Sequence, residues 1–259
     1  MKSVLTIAGS DCSGGAGIQA DIKTITMHKV YASSVITAVT AQNTLGVAMV
    51  ESLSPEIIKQ QLESVFQDIF PDAVKIGMVD KAETVQMIVQ ALEKYRPKNI
   101  VADTVMISTS GKKLLKEEAF DIYVQKLLPL ADVITPNIPE AQVLSGIEIT
   151  DPESRKKAAE KIGEMYSGAI LIKGGHEKKT ADDLLYYQGR FLWYPGKQIE
   201  NSNTHGTGCT LSSAIASNLA LGYSMEKSVE NAKHYITGAI EAKMVLGYGN
   251  GPLNHMWYG

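Results

Sequence analysis

No apolar run in this sequence approaches the roughly 20 residues that a membrane helix needs, and the stretch before Gly9 is too short for a signal-peptide core. A cytoplasmic protein without membrane contact is therefore expected. Cysteine is scarce: Cys12 and Cys209 stand far apart, each beside glycine-rich sequence, which excludes a disulfide framework and suits a reducing compartment. An excess of positive charge is also missing. With 25 basic against 28 acidic residues the net charge is -3, so nothing draws the chain to nucleic acid, and a bound anion must be held by local groups. The G-x-x-x-x-G-K-[ST] phosphate loop does not occur, the protein-kinase motifs are absent, and the glycines of 9–17 do not fall at the dinucleotide spacing G-x-G-x-x-G. No low-complexity stretch, repeat or linker divides the 259 residues, and one domain over 1–259 is expected.

Short β-branched runs alternate with segments of helical period. Strands are expected over 4–8, 30–40, 73–76, 99–102, 133–135 and 169–173, and another over 47–53 lying at an edge or partly over a face. Helices are expected from Gly17, after Ser54-Pro55, over 82–94 and 117–128, and after Asp151-Pro152. In the helix after Pro55, Ile58, Leu62, Val65 and Ile69 form one apolar stripe. Segments 183–187 and 191–194 flank Gln188-Gly189-Arg190 as a hairpin. Two final helices carry the stripes Leu211, Ile215, Leu219 and Val229, Ala232, Ile236, Ile240, with Gly222 closing the first and Ser224 capping the second. This order predicts an α/β fold with a mostly parallel sheet joined by crossover helices.

In such a sheet, ligands gather beyond the carboxyl ends of the strands. After the first strand comes Gly9-Ser10-Asp11-Cys12-Ser13-Gly14-Gly15-Ala16-Gly17, whose small residues let backbone amides approach a ligand at a helix N-terminus; a plain flexible turn is the alternative. Asn203-Thr204-His205-Gly206-Thr207-Gly208-Cys209-Thr210 is more specific, since glycines at 206 and 208 free amides to point at an anion and the following helix dipole favours negative charge. Transfer of a phosphoryl group needs that environment. Cys209 stands where a helix N-terminus lowers a thiol pKa and supplies a thiolate; a small buried residue is the alternative.

Asp103 and Glu140 follow strands and have the chemistry to hold Mg2+ through its water shell, and Lys173 to meet a phosphate as a point charge. A helix cap or a surface charge is the alternative for each, and for Asn137. None of the five histidines has metal-ligand spacing to another; His205 is read as shaping its loop, without a proton-transfer role.

Taken together, Leu5-Thr6-Ile7-Ala8-Gly9-Ser10-Asp11, Ser13 through Asp21, Thr40-Ala41-Gln42-Asn43-Thr44, Lys75-Ile76-Gly77-Met78, Ile134-Thr135-Pro136-Asn137, Pro139-Glu140-Ala141, Lys173-Gly174-Gly175-His176, Asn203 through Thr210 and Gly251-Pro252-Leu253-Asn254-His255 resemble the hydroxymethylpyrimidine/phosphomethylpyrimidine kinases nearly end to end. The resemblance implies a ribokinase-like three-layer αβα sandwich, usually a homodimer. It also implies two successive Mg2+- and ATP-dependent phosphorylations, of an aminopyrimidine alcohol and then of its monophosphate, in thiamine biosynthesis. By the same resemblance, Gly206, Thr207 and Gly208 form the anion hole and Cys209 is the base. Gln42, Ala16, Asp21, Met78 and Val105 meet the substrate; Lys173, Asn137 and Thr204 meet ATP; Asp103 and Glu140 hold the metal. A side-chain amide at Gln42 matches an aminopyrimidine edge, accepting from the exocyclic amine and donating to the ring nitrogen. The related pyridoxal kinases tend to carry methionine there. Thr104 stands where many relatives have proline, which bears on loop stiffness rather than on the Asp103 carboxylate. A pyridoxal kinase is the nearest rival reading, a non-catalytic vitamin- or nucleotide-binding protein the next, and a dinucleotide-dependent oxidoreductase the third.

Overall fold

The computed structural model describes residues 1–106, 117–175, 181–201 and 203–257. His176 of the quoted motif lies outside these described residues.

Among the described residues, nine strands form one sheet in the order β3-β2-β1-β4-β5-β6-β7-β8-β9. Strands β1 (Ser3–Asp11), β2 (Tyr31–Asn43), β4 (Ala73–Ile76), β5 (Ile100–Ala102), β6 (Val133–Ile134) and β7 (Ala169–Ile172) run parallel. The two margins are antiparallel: β3 (Gly46–Ser52) on β2, and the hairpin of β8 (Asp183–Tyr187) and β9 (Arg190–Tyr194) on β7. Gln188 and Gly189 both take positive φ, 50° and 71°, the backbone that a two-residue hairpin turn requires.

Alternation along the buried strands sends side chains to two separate cores. Leu5, Ile7, Val74, Ile76, Ile100, Ala102, Ile134, Ile170 and Ile172 enter one core. It is shared with helices α2 (Pro55–Asp68), α3 (Ala82–Tyr95), α4 (Glu117–Ile122), α5 (Ile138–Ser145) and α6 (Pro152–Gly163). Val4, Ala73, Val101, Val133, Ala169 and Leu171 enter the other, against α1 (Gly17–Met27), α7 (Thr207–Ala220) and α8 (Met225–Glu241). The result is the three-layer sandwich of the ribokinase-like class.

The helix starts follow local chemistry. Ser54, Asp151 and Ser224 each accept a backbone N–H of the first turn, and Gly222, at φ 92°, turns the chain between α7 and α8. Three details depart from the sequence pattern. The buried stripe of α2 runs Ile58, Leu62, Phe66, with Val65 partly buried against the same core, while Ile69 caps the helix just past Asp68 and is exposed because the chain leaves the helix there. The predicted 117–128 helix breaks into α4, a π-helical turn over Tyr123–Leu127 and a 3-10 turn over Leu128–Leu130. Helix α5 was not anticipated: at 8 residues, opening on Ile138-Pro139, it carries almost no amphipathic pattern.

Candidate active site

Strand β1 lies inside the sheet, third from one edge, with β2 on one side and β4 on the other, so its carboxyl end marks the switch point where ligands lodge. The residue at that end is Asp11. Its carboxylate accepts Ser13 N at 2.9 Å, Ser13 Oγ at 2.7 Å, Gly15 N at 3.2 Å and Ala16 N at 2.8 Å, and meets His205 Nε2 at 2.8 Å. Burial pushes the Asp11 carboxyl up, but the bonds from His205, Ser13 and Ala16 outweigh it and hold the pKa at about 2. The first loop is thus wound around one carboxylate and pinned to the C-terminal loop. Gly15 is required at the crossing, since a Cβ there would run into the His205 ring.

The C-terminal loop turns into α7 at Gly206, whose φ of 83° and contact with the Gly15 carbonyl both demand glycine. Thr207 is bonded back to the Thr204 carbonyl, by its hydroxyl at 2.6 Å and its amide at 3.3 Å, which closes the turn. The Thr207 amide is therefore committed in this state, and the amides of Gly208 and Cys209 follow in the first turn, where a helix leaves N–H groups without intrahelical partners. A Cβ on Gly208 would lie 3.2 Å from Asp103 Oδ2 and 3.5 Å from Lys173 Nζ, so this turn sits directly beside that ion pair.

Cys209 opens toward the cavity and is enclosed on its other sides. The Gly17 amide donates to its sulfur, so the N-termini of α1 and α7 converge there. A lowered thiol pKa was expected, and the opposite is found. Burial pushes the thiol up to about 11; Lys75 and the Gly17 amide pull it down, but Asp21 and Asp103 add to the rise. Lys75 projects from β4 into the α1/α7 layer where an apolar residue would otherwise sit. Its Nζ lies 2.9 Å from both oxygens of Asp21, and both side chains are fully buried. Burial lowers the Lys75 pKa and Asp21 raises it, with a net rise. Asp21 also accepts Thr6 Oγ1 at 2.6 Å and Ser213 Oγ at 2.8 Å, so its carboxylate is fully used within the protein.

Asp103 follows β5 and Lys173 follows β7, and they pair at 2.9 Å. Burial raises the Asp103 carboxyl, yet Lys173 and Lys75 hold it below its ordinary value, with Thr135 Oγ1 donating to it at 3.1 Å. Glu140 behaves differently: burial pushes it up, Lys173 pulls down, and Asp103 adds to the rise. Its Oε2 accepts Asn137 N at 2.8 Å and Thr104 Oγ1 at 3.0 Å, while Asn137 Oδ1 accepts Glu140 N at 2.9 Å. This reciprocal pair is the capping box of α5, the structural alternative weighed for both residues, and it is built at the rim of the site.

A cavity of about 1050 Å³ gathers these parts. Every residue to which the resemblance gives a catalytic, substrate, ATP or metal role lines it except Asp21, which lies beneath in the buried pair with Lys75. Gln42 stands on β2, which runs three residues beyond the predicted strand, next to a register shift in its pairing with β3. Met78 packs over Gly9, with Sδ 3.5 Å from where a Cβ would stand. The amides of Ala16 and Val105 are already bonded, to Asp11 and to the Asp103 carbonyl at 2.8 Å each. The other end is walled by Gly196, Lys197, Ile199, Ile236 and Ile240, with the Lys233–Asp183 pair at 2.7 Å. Ile236 and Ile240, from the predicted apolar stripe of α8, serve two surfaces: Ile236 is buried in the core and Ile240 packs against it, and both also line the cavity.

Among the described residues no group of three or more His, Cys, Asp or Glu side chains is placed to cage a metal ion. The two carboxylates near Lys173 suit Mg2+ held through water and phosphate oxygens. Asp103 Oδ2 has the acceptor capacity, as its bond from Ser212 Oγ is long at 3.4 Å.

A ribokinase-like sheet with an amide turn, a thiol and a carboxylate–lysine pair at one end of a long cavity defines a small-molecule kinase. The Phosphomethylpyrimidine kinase family model matches residues 11–254, and the chain belongs to this family. It is 46% identical over 255 residues to the hydroxymethylpyrimidine/phosphomethylpyrimidine kinase of Rhizobium meliloti, covering 97% of this chain and 96% of the relative. It is 45% identical to the thiamine biosynthesis bifunctional protein of Geobacter sulfurreducens over 98% of this chain, but spans only 52% of that protein. Among solved structures, the phosphomethylpyrimidine kinase of Clostridium difficile superposes with a TM-score of 0.84 at 50% identity, over 93% of this chain and 100% of that one. The ADP complex of Bacillus subtilis pyridoxal kinase does so with 0.91 at 34%, over 98% and 97%.

Proposed function

We propose that this chain transfers the γ-phosphoryl group of ATP to the hydroxymethyl group of an aminopyrimidine, and then phosphorylates the monophosphate to the diphosphate, in thiamine biosynthesis. The observation that carries this reading is the joining, in one cavity, of the Gln42 amide with Cys209, the α7 turn and the Asp103–Lys173 pair. Gln42, Met78 and Val105 hold the ring so that its alcohol faces Cys209. As the alcohol oxygen bonds to phosphorus and the bridge to ADP breaks, the alcohol proton passes to the Cys209 sulfur in its thiolate form. The α7 turn from Gly206 to Gly208 stabilises the transferring group, and Lys173 meets its charge. Asp103 and Glu140 would hold Mg2+ through its water shell, and the ion would supply positive charge to the phosphates. Asn137 and Thr204 line the nucleotide path between the acceptor end and the Ile236 wall, and Asp21 acts from below, through Lys75, rather than on substrate. In the second phosphorylation the acceptor is already an ionised phosphate, so the demand on Cys209 is smaller.

The experiment is mass analysis of products formed with Mg-ATP: monophosphate appearing first and diphosphate after it supports the reading, and no phosphorylated pyrimidine refutes it.

The continuous sheet of the described residues supports one domain over 1–259, and the apolar margin where Leu45 and Met49 are 69% and 60% exposed supports a homodimer. Sedimentation at twice the chain mass is the expected result. A cytoplasmic setting is consistent with two free thiols and with the lack, among the described residues, of any helix long and apolar enough to cross a membrane. Pyridoxal phosphorylation is the second reading, favoured by the likeness to the Bacillus subtilis pyridoxal kinase.

A further inference from the structure

The amide of Gln42 can offer its hydrogen-bonding edge in two senses, exchanged by a half-turn about its last side-chain bond. Two neighbours decide between them. The heavy-atom contacts pair the amide nitrogen with His205 Nε2 at 3.1 Å and the amide oxygen with Thr40 Oγ1 at 3.3 Å. Counting hydrogens turns the amide over. His205 Nε2 lies 2.8 Å from Asp11 Oδ2, a carboxylate that already receives three backbone amides and the Ser13 hydroxyl and is therefore ionised. A bare ring nitrogen would meet it lone pair to lone pair, so Nε2 carries the hydrogen. An N–H there cannot face the Gln42 NH2, so the Gln42 atom beside it is the oxygen, the longer acceptor at 3.1 Å in a three-centre bond whose shorter branch goes to Asp11. At the other end, Thr40 has one hydroxyl hydrogen, which the Ser10 carbonyl accepts at 3.1 Å. The Thr40 oxygen is then an acceptor, and the Gln42 atom beside it is the NH2. Two independent counts agree.

We propose that Asp11, His205 and Thr40 are positioning residues that lock the sense of the Gln42 amide, and so decide which polarity of ring edge the site accepts. The inference rests on the aminopyrimidine reading above. Each anchor uses one of the two positions on its amide atom, leaving one oxygen lone pair and one N–H for a ring edge. That edge fits a ring whose exocyclic group donates and whose neighbouring nitrogen accepts, and it opposes one with an exocyclic oxygen beside a ring N–H. His205 directly precedes Gly206, and its ring fills the space that Gly15 leaves open, so the same residue joins the specificity edge to the α7 turn.

The test compares kcat/KM for the hydroxymethyl aminopyrimidine and for its oxo analogue in wild type, His205→Phe and Thr40→Val. Wild type prefers the amino ring. In His205→Phe the amide is free to turn: the amino substrate loses roughly tenfold, as for one hydrogen bond, while the oxo analogue is unchanged or improved, and the preference falls by that factor. Thr40→Val moves the ratio the same way. Structural damage alone would lower both substrates together, so an unchanged ratio in the variants overturns the lock. Should His205→Phe fail to fold, the Thr40→Val ratio decides by the same criterion. Wild-type indifference between the two rings would instead defeat the substrate reading itself.

Discussion

Replacing Lys75 by methionine removes the cation that neutralises Asp21 inside the α1/α7 layer. Both side chains are fully buried, and the two 2.9 Å contacts vanish together, leaving Asp21 with the Thr6 and Ser213 hydroxyls. Breaking a buried pair from one side costs about 3–5 kcal/mol, because the remaining charge is stranded in low dielectric. For a chain of this size that corresponds to a fall in Tm of roughly 10 °C. Urea unfolding of Lys75→Met, Asp21→Asn and the double variant measures it. The account expects each single variant to lose more than the double variant does relative to the better single, since removing both charges relieves the stranded one. A loss below about 1 kcal/mol in Lys75→Met, or simple additivity in the cycle, would refute the argument.

Cys209→Ala is expected to lower turnover of the alcohol by about 10²–10⁴, the range of a general base, with nucleotide affinity retained in equilibrium titration. Because the thiol sits near 11, its thiolate fraction rises with pH, and alcohol turnover should climb about tenfold per pH unit from 7 toward 10 while the phosphate acceptor responds less. A flat profile would remove the base role. Gln42→Met strands the polar edge of the pyrimidine, and its dissociation constant should weaken by roughly 1–3 kcal/mol, read by calorimetry against the unchanged protein.

Much of the candidate site is legible in the sequence because polar residues interrupt an apolar pattern at strand ends. Asp103, Lys173 and the 203–210 loop break runs such as Ile100-Val101-Ala102 and Ile170-Leu171-Ile172, and the topology then brings those ends together. The hairpin turn at Gln188-Gly189 and the Ser54, Asp151 and Ser224 caps are local, and local chemistry suffices to place them. Other features are decided by distant partners. Lys75 reads as an ordinary strand lysine until Asp21 is found against it. The rise in the Cys209 pKa comes from burial and two carboxylates that no helix-dipole argument contains. His205 gains its meaning from Asp11, 194 positions away in the chain. Helix α5 escaped notice because its residues serve a capping box and a cavity rim rather than an apolar stripe.

The central claim is that this kinase reads an aminopyrimidine through Gln42, and the most direct measurement is acceptor-dependent ADP release by the purified protein with Mg-ATP. The value of kcat/KM for hydroxymethylpyrimidine is compared with that for pyridoxal under identical conditions. The account predicts a clear preference for the pyrimidine that shrinks in Gln42→Met. Preference for pyridoxal would contradict the substrate assignment while leaving the phosphoryl-transfer chemistry in place, and no ADP release with either acceptor would contradict the assignment of the cavity as a kinase site.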